Sequence, residues 1–252
     1  MWRKFRIAVL LLILLIVAAN TWFDRLYSTD WSNPLSVAIV PANGDGSATA
    51  ERYVRQLTAD AFQPIETFFA EEGMEYGIAL DRPVRVLLGS QVRDLPPMIE
   101  PGTGRLGIML WSLRARYWAW RIDGPPGTEV KLFVLYHDPR QTPALQHSVG
   151  MQKGLFGIVH VFADRTMAGS NDTVIAHELL HTLGATDKYG PDNLPRLPDG
   201  YAEPDLQPLY PQSFAELMGG RIPVSARQAE IPESLDQVVI GPTTAAEIGW
   251  AQ

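Results

Sequence analysis

The chain has 252 residues, of which 46% are hydrophobic and 19% charged, with no cysteine and a net charge of −7. These proportions indicate a globular protein with a sizeable core and exclude a disordered chain. The lack of cysteine excludes disulfides, thiolate metal ligands and cysteine nucleophiles, so any metal must be held by His, Asp or Glu. An acidic chain has no general attraction for nucleic acid, and we expect no nucleic-acid partner.

The first 23 residues differ from the rest of the chain. A basic start is followed by an unbroken apolar run over residues 7–19 and then by Trp22. A retained transmembrane helix with Trp22 at the membrane interface and a cleaved signal peptide both fit this pattern. We favour the anchor, with residues 24–34 as a juxtamembrane linker and residues 35–252 as an exported domain.

Hydrophobic periodicity predicts strands that alternate with helices. This mixture is typical of an α/β or α+β domain, here with a mixed twisted sheet. Pro64 is expected to kink or split the first helix. The predicted order is a strand over 35–40, a turn at 43–46, a helix over 48–72, a strand over 84–88, a loop over 93–104, a helix over 106–122, strands over 129–136 and 155–162, a helix over 172–183 capped by Asn171 or Asp172, a proline-rich loop over 188–213 and a last helix over 243–250.

The predicted helix over 106–122 is both aromatic and basic. Leu110, Leu113, Tyr117 and Trp120 share one of its faces. We expect this face to pack inward and the arginines to lie in solvent. The alternative is a patch that rests on a bilayer near the N-terminal anchor.

The stretch from His177 to His181 reads His-Glu-Leu-Leu-His. On a helix the two histidines lie one turn apart on the same face, so both imidazoles can bind one ion. Zinc suits imidazole nitrogen, and a catalytic zinc keeps three protein ligands and one open position. Glu178 lies about 100° round the helix from His177, where it can take a proton from a water molecule at the metal. The pattern predicts Zn²⁺ as cofactor, His177 and His181 as ligands, and Glu178 as general base and acid.

The motif extends beyond the second histidine. His177, Glu178, His181, Gly184 and Asp187 fit H-E-x-x-H-x-x-G-x-x-D position for position. This resembles the extended motif of the metzincin clan of zinc endopeptidases, in the Asp variant of the snapalysin-type small bacterial proteases. The resemblance implies a zincin-like fold with an active-site helix. It also implies that Gly184 turns the chain and that Asp187 is the third metal ligand.

The segment over residues 216–220 resembles the Met-turn of the same clan. In that arrangement a methionine, here Met218, supports the metal site from below within a C-terminal subdomain. Glu216 stays open as an alternative third ligand, as in the gluzincin families. The resemblance covers residues 172–220 and leaves the N-terminal half unassigned.

Further site candidates are less specific. His160 lies in a predicted strand before the motif helix. In metzincins an edge strand above that helix binds the substrate backbone. His160 could therefore face the cleft, and the alternative is a hydrogen-bonded structural histidine. Tyr189, Tyr201 and Tyr210 lie in the proline-rich loop, where one of them could donate to the oxyanion of a tetrahedral intermediate or simply pack. His137 is predicted to lie in a loop.

These features predict a membrane-anchored zinc endopeptidase of the bacterial envelope that hydrolyses peptide or protein substrates. Its catalytic domain is expected in the periplasm or on the outer surface, and secretion after signal cleavage is the alternative. Two other functions stay open. One is a zinc amidase that acts on cell-wall or other non-protein peptides, and the other is a catalytically silent zinc-binding module.

Overall fold

The computed structural model describes residues 30–99 and 102–251 and, near the N terminus, four further residues: Trp2, Arg6, Ile7 and Leu11. Apart from these four, the predicted anchor or signal peptide lies outside the described residues, as does most of the predicted linker. Among the residues that are described, none belongs to a helix with the length and hydrophobicity needed to cross a bilayer.

Strands and helices are interspersed along the described chain, as predicted. The strands of the main sheet are β1 (Leu35–Asn43), β2 (Val84–Leu88), β3 (Val130–His137), β4 (Val149–Met151) and β5 (Phe156–Phe162). The helices are α1 (Ala48–Arg55), α2 (Gln63–Glu75), α3 (Arg105–Arg121), α4 (Ala168–Leu183) and α5 (Pro242–Glu247). Short strands follow α4: β6 (Ala215–Glu216), β7 (Ile222–Ser225), β8 (Gln228–Glu230) and β9 (Val238–Val239). As predicted, residues 188–213 contain no helix or named strand.

The main sheet has five strands in the order β2-β1-β3-β5-β4. Strands β2, β1, β3 and β5 run parallel, whereas β4 is antiparallel to β5 and forms one edge. The predicted mixed sheet is therefore confirmed. Strand β4 was not predicted, because its three residues are too few to show a period.

The sheet is buried on both faces, so successive residues of β1 face different cores. Val37 and Ile39 face a core formed with α1, α2 and α4. Ala38 and Val40 face a second core formed with α3. The motif helix and α3 thus lie on opposite faces of the sheet.

The C-terminal segment is tied to α2 and to the start of the described chain. Trp31 Nε1 donates to the Ile248 carbonyl over 2.7 Å. The Tyr76 hydroxyl donates to the Ile240 carbonyl over 2.6 Å, and the Ile240 N–H donates to Glu72 over 2.6 Å. These bonds place the segment that follows β9 against the same core as α4.

Pro64 splits the first predicted helix in two, as expected. Helix α1 ends at Arg55, and a 3₁₀ turn over Ala59–Phe62 leads into α2. Pro64 then occupies the first turn of α2. A proline there leaves no helical hydrogen bond unmade, because the first N–H groups of a helix have no partner within it.

The motif helix begins earlier than predicted. Helix α4 starts at Ala168, and the side chain of Asn171 binds the backbone N–H and carbonyl of Phe162 over 3.1 and 2.9 Å. Asp172 is buried, and this burial raises its pKa to about 7. The prediction that one of these residues caps the helix was wrong, because Asn171 instead fastens α4 to the end of β5.

Helix α3 packs through a different face from the one predicted. Ala115 and Ala119 let the helix approach the sheet closely, and the Trp118 ring covers Phe133 with centroids 4.3 Å apart. The face expected to pack inward lies in solvent, with side chains between 56% and 74% exposed: Leu110, Leu113, Tyr117 and Trp120. That interpretation was wrong because the helix has two apolar faces, and periodicity alone does not say which one meets the sheet.

Candidate metal centre

Helix α4 places His177 and His181 one turn apart. Their ring centroids are 4.7 Å apart and the ring planes are nearly perpendicular, at 86°. Together with Glu178 they form a group whose ligand atoms all lie within 4.8 Å of one another. This His-Glu-His cluster could hold a metal ion, although the cluster by itself does not specify which metal.

The two imidazoles are oriented by backbone carbonyls. His177 Nδ1 lies 2.9 Å from the Leu217 carbonyl, and His181 Nδ1 lies 2.9 Å from the Ala185 carbonyl. A carbonyl only accepts, so each Nδ1 must donate. This leaves Nε2 of each ring for another partner, which is the arrangement that fixes the ligand nitrogen in metal sites.

Both Nε2 atoms converge on Asp187. Its Oδ1 lies 3.2 Å from Nε2 of His177 and 3.1 Å from Nε2 of His181. Two ligand atoms about 2.0–2.1 Å from a tetrahedral ion lie about 3.3 Å apart, so these separations are close to those of ligands that share one zinc. Burial raises the pKa of Asp187, but the hydrogen bonds and charges of the two histidines outweigh it and bring the pKa well below its usual range.

Gly184 makes this convergence possible. It ends α4 with φ at 109°, in the left-handed region that favours glycine, and its N–H bonds to the carbonyls of Leu180 and His181. The predicted turn at Gly184 is confirmed. The chain reverses there and returns Asp187 to the histidines.

The residues on either side of Asp187 are held by Glu247 of α5. This carboxylate accepts from the Thr186 N–H and hydroxyl over 2.9 and 2.7 Å, and from Lys188 Nζ over 2.7 Å. Sequence reasoning missed Glu247 because it lies sixty residues downstream of Asp187 in a segment without a motif.

Tyr189 lies two residues after Asp187. Burial, the charge of Asp187 and a hydrogen bond to Asp187 raise the pKa of Tyr189 to about 12.

Glu178 is 6% exposed and lies beside the histidines. Burial raises its pKa, whereas the charges of His177 and His181 and a hydrogen bond from the Gly150 N–H act in the opposite direction. Its Oε2 atom is buried and has no hydrogen-bond partner within the described residues. A Cβ at Gly150 would overlap the Glu178 carbonyl and the His181 Cβ, so β4 and α4 approach as closely as only glycine allows. A buried carboxylate oxygen without a partner, such as Oε2 of Glu178, is expected of a group that contacts a bound ligand.

Glu216 does not fit the alternative of a third metal ligand. It is fully buried, and its Oε2 accepts from the Gly219 N–H over 2.7 Å. Its Oε1 accepts from the Thr244 hydroxyl over 2.6 Å and from the Gly241 N–H over 3.2 Å. Oε2 therefore bonds within the turn, and Oε1 joins the turn to the C-terminal segment.

Met218 lies in this turn and is fully buried. The N–H groups of Gly219 and Gly220 both bond to the Glu216 carbonyl over 2.9 Å, which closes the turn. The Met218 carbonyl accepts from the Lys188 N–H over 2.8 Å. The carbonyl of the preceding residue, Leu217, orients His177, and Lys188 directly follows Asp187 in the chain. The turn therefore contacts both the histidine and the segment that contains Asp187.

A cleft of about 310 Å³ opens beside Glu178, and His160 and Tyr189 line it. His160 Nδ1 lies 3.0 Å from His137 Nε2, and burial together with the charge of His137 lowers the pKa of His160 to about 4. His137 is the buried last residue of β3 and not a loop residue as predicted. His160 lies in β5, in the strand predicted before the motif helix, and β4 pairs with the outer side of that strand.

The three candidate tyrosines separate in space. Tyr189 faces the cleft, with its ring centroid 6.2 Å from that of His177. The hydroxyls of Tyr201 and Tyr210 are hydrogen-bonded to each other over 2.8 Å, and neither residue lines the cleft. Only Tyr189 is placed where it could meet a ligand of the cluster.

Comparison of the sequence with profiles of known protein families finds no match, and a search of curated protein sequences finds none either.

Proposed function

We propose that this chain is a zinc-dependent peptidase in which His177, His181 and Asp187 hold the metal and Glu178 moves the proton. The observation that supports the proposal is the convergence of the three side chains, with Oδ1 of Asp187 at 3.2 and 3.1 Å from the Nε2 atoms of His177 and His181. Two imidazoles and one carboxylate form a donor set typical of catalytic zinc.

When bound, zinc would polarise the scissile carbonyl and lower the pKa of a water molecule. Glu178 supplies the acid–base chemistry. Burial raises the pKa of Glu178 above its ordinary value, which is the direction that suits a group that takes a proton and returns it to the leaving amine. Its unpaired Oε2 is available for that proton.

Strand β4 is suited to position an extended peptide. It forms an edge of the sheet, so its outer backbone groups pair with no other strand of the described chain, and its Gly150 lies against the motif helix. A peptide that adds to this edge would be held by main-chain hydrogen bonds. It would then pass close to Glu178, which accepts from the Gly150 N–H.

The finer family assignment is also a proposal. The glycine-terminated helix, the returning Asp187 and the closed turn around a buried Met218 support a metzincin-type, zincin-like domain with a Met-turn. We further propose that the N-terminal apolar run tethers the domain on the outer side of a bacterial membrane. Digestion of the domain by protease added to intact cells or spheroplasts tests this location.

The decisive experiment measures metal content and hydrolysis together. Glu178→Gln should keep the metal and lose hydrolysis by at least about a hundredfold, since acid–base groups typically contribute 10²–10⁴-fold. His181→Ala should lose both, and Glu230→Gln, an exposed carboxylate of the β7–β8 hairpin, should lose neither.

Parallel assays on casein and on isolated cell-wall peptides distinguish a protease from an amidase. Equal activity of Glu178→Gln and the unmodified chain would defeat the mechanism. Metal retention without hydrolysis of any peptide by the unmodified chain would favour a silent module.

A further inference from the structure

Helix α3 exposes an apolar stripe that no described residue covers. The stripe residues recur at alternating steps of four and three and are each at least 56% exposed: Leu106, Leu110, Leu113, Tyr117 and Trp120. This spacing keeps them on one side of a helix. A contiguous apolar surface of this kind on a soluble domain marks an interaction site.

The loop that precedes α3 is held against the helix. Trp111 Nε1 donates to the Pro97 carbonyl over 2.7 Å, and Trp118 Nε1 donates to the Asp94 carbonyl over 3.1 Å. These bonds hold the loop against α3, and Met98 beside it is 73% exposed. The loop is therefore fixed against the side of α3 that lies beyond Arg114 and Arg121, next to the apolar stripe.

Arginines flank the stripe on both sides. At about 100° per residue, Arg114 and Arg121 fall on one side of it and Arg105 and Arg116 on the other. Residues 102–122 contain these four arginines and no acidic residue, in a chain whose net charge is −7. None of the four forms a salt bridge within the described residues. The positive charge of the helix thus lies on the two flanks of the apolar stripe.

The C-terminal end of the stripe is aromatic. Tyr117 and Trp120 are stacked with centroids 6.1 Å apart, and the Arg121 guanidinium lies 5.9 Å from the Tyr117 centroid. Tyr and Trp favour the boundary between lipid chains and head groups, because one end of each side chain is apolar and the other polar. Arginine stems can reach past them to the phosphates.

We propose that α3 and its preceding loop dock on the surface of a phospholipid bilayer that contains anionic head groups. An apolar stripe flanked by arginines is the pattern of a helix that lies in the membrane interface. A second copy of the chain fits less well, since a two-fold contact through this stripe would bring the arginine flanks of both helices together. This docking concerns the sheet face opposite α4 and does not depend on the proposed peptidase activity.

The docked surface is close to the cleft. Leu95, Ile99 and Trp111 line a cavity of about 140 Å³ together with His147 and His160. The two histidines also line the cleft beside the metal cluster. Docking through α3 would therefore hold the cleft near the membrane surface, where it meets membrane-associated chains first.

The lack of native cysteine allows a direct test on the full chain. Leu113→Cys places one environment-sensitive fluorophore on the stripe, and Glu71→Cys places the same label on exposed α2, on the opposite face of the sheet. The labelled chains are reconstituted in vesicles of phosphatidylcholine with phosphatidylglycerol that contain lipid-borne quenchers. We expect quenching at position 113 and not at position 71. Since both chains carry the same N-terminal segment, its own insertion cannot produce this difference.

A second arm tests the role of charge. Arg114→Gln with Arg121→Gln should lower the docked-to-undocked ratio about fivefold per arginine on vesicles that contain phosphatidylglycerol, and should leave it unchanged on phosphatidylcholine alone. Equal quenching at positions 113 and 71 would overturn the proposal. Shielding of the label at position 113 without vesicles, growing with protein concentration, would also overturn it in favour of a second copy.

Discussion

Glu72 of α2 should make the stability of this protein fall between mildly acidic and neutral pH. Its carboxylate accepts from the Ile240 N–H over 2.6 Å, so it joins α2 to the C-terminal segment. Burial, together with the charges of Glu75, Glu71 and Glu216, raises its pKa from 4.5 to about 7 despite that hydrogen bond. The substitution Glu72→Gln keeps an acceptor for Ile240 and removes the charge.

The magnitude follows from the two pKa values. Well below pH 4.5 the Glu72 carboxyl is neutral in both the folded and the unfolded chain, so it does not lower the free energy of unfolding. Between pH 4.5 and 7 the unfolded chain loses its proton first, so the free energy of unfolding falls as pH rises. A shift from 4.5 to about 7 corresponds to about 3.4 kcal/mol, which solvent screening of the half-buried Glu72 reduces to about 1–2 kcal/mol.

The assay is urea unfolding of the full chain in detergent at pH 4.5 and pH 8. Glu72→Gln should match the unmodified chain at pH 4.5 and be more stable by about 1–2 kcal/mol at pH 8. Glu230→Gln, in the exposed hairpin, serves as the control and should change little at either pH. If Glu72→Gln were less stable than the unmodified chain at pH 8, the carboxylate would be favourable when charged and the reasoning wrong.

Three further predictions concern the candidate centre. Glu247→Gln removes the charged partner of Lys188 and should weaken metal affinity about 10–100-fold, because groups that orient ligands typically contribute that much. Competition with a chelator measures the affinity, and an unchanged value would show that Asp187 needs no such support. Met218→Ala should lower the free energy of unfolding by about 2–5 kcal/mol and Met218→Leu by less than about 1.5 kcal/mol in denaturant titrations, since only the first leaves a cavity. Tyr189→Phe removes the hydroxyl bonded to Asp187 and should weaken metal affinity about tenfold, whereas Tyr210→Phe, away from the cleft, should leave it unchanged.

The parts of the site that sequence reasoning located are those fixed within one helical turn or one glycine turn. The His177–His181 spacing and the left-handed Gly184 are local properties of the chain, so the sequence pattern carries them directly. The parts that it missed are contacts between distant segments. Neither Glu247 near Asp187 nor Gly150 near Glu178 belongs to a motif, because the carboxylate contact of the first and the close backbone approach of the second arise only when distant segments pack together.

By itself, the sequence determined the alternation of strands and helices, the proline split before α2 and the histidine pair on α4, because each depends on periodicity or on a residue's own backbone preference. Tertiary structure decided which face of α3 meets the sheet, since two alanines allow close approach while the larger stripe does not. It also gave Asp187 and Glu216 different surroundings: Oδ1 of Asp187 lies beside both histidines, whereas the Glu216 carboxylate accepts from Gly219, Gly241 and Thr244, of which only the last two lie far along the chain. Side chains of the same chemistry thus received different environments from the segments packed against them.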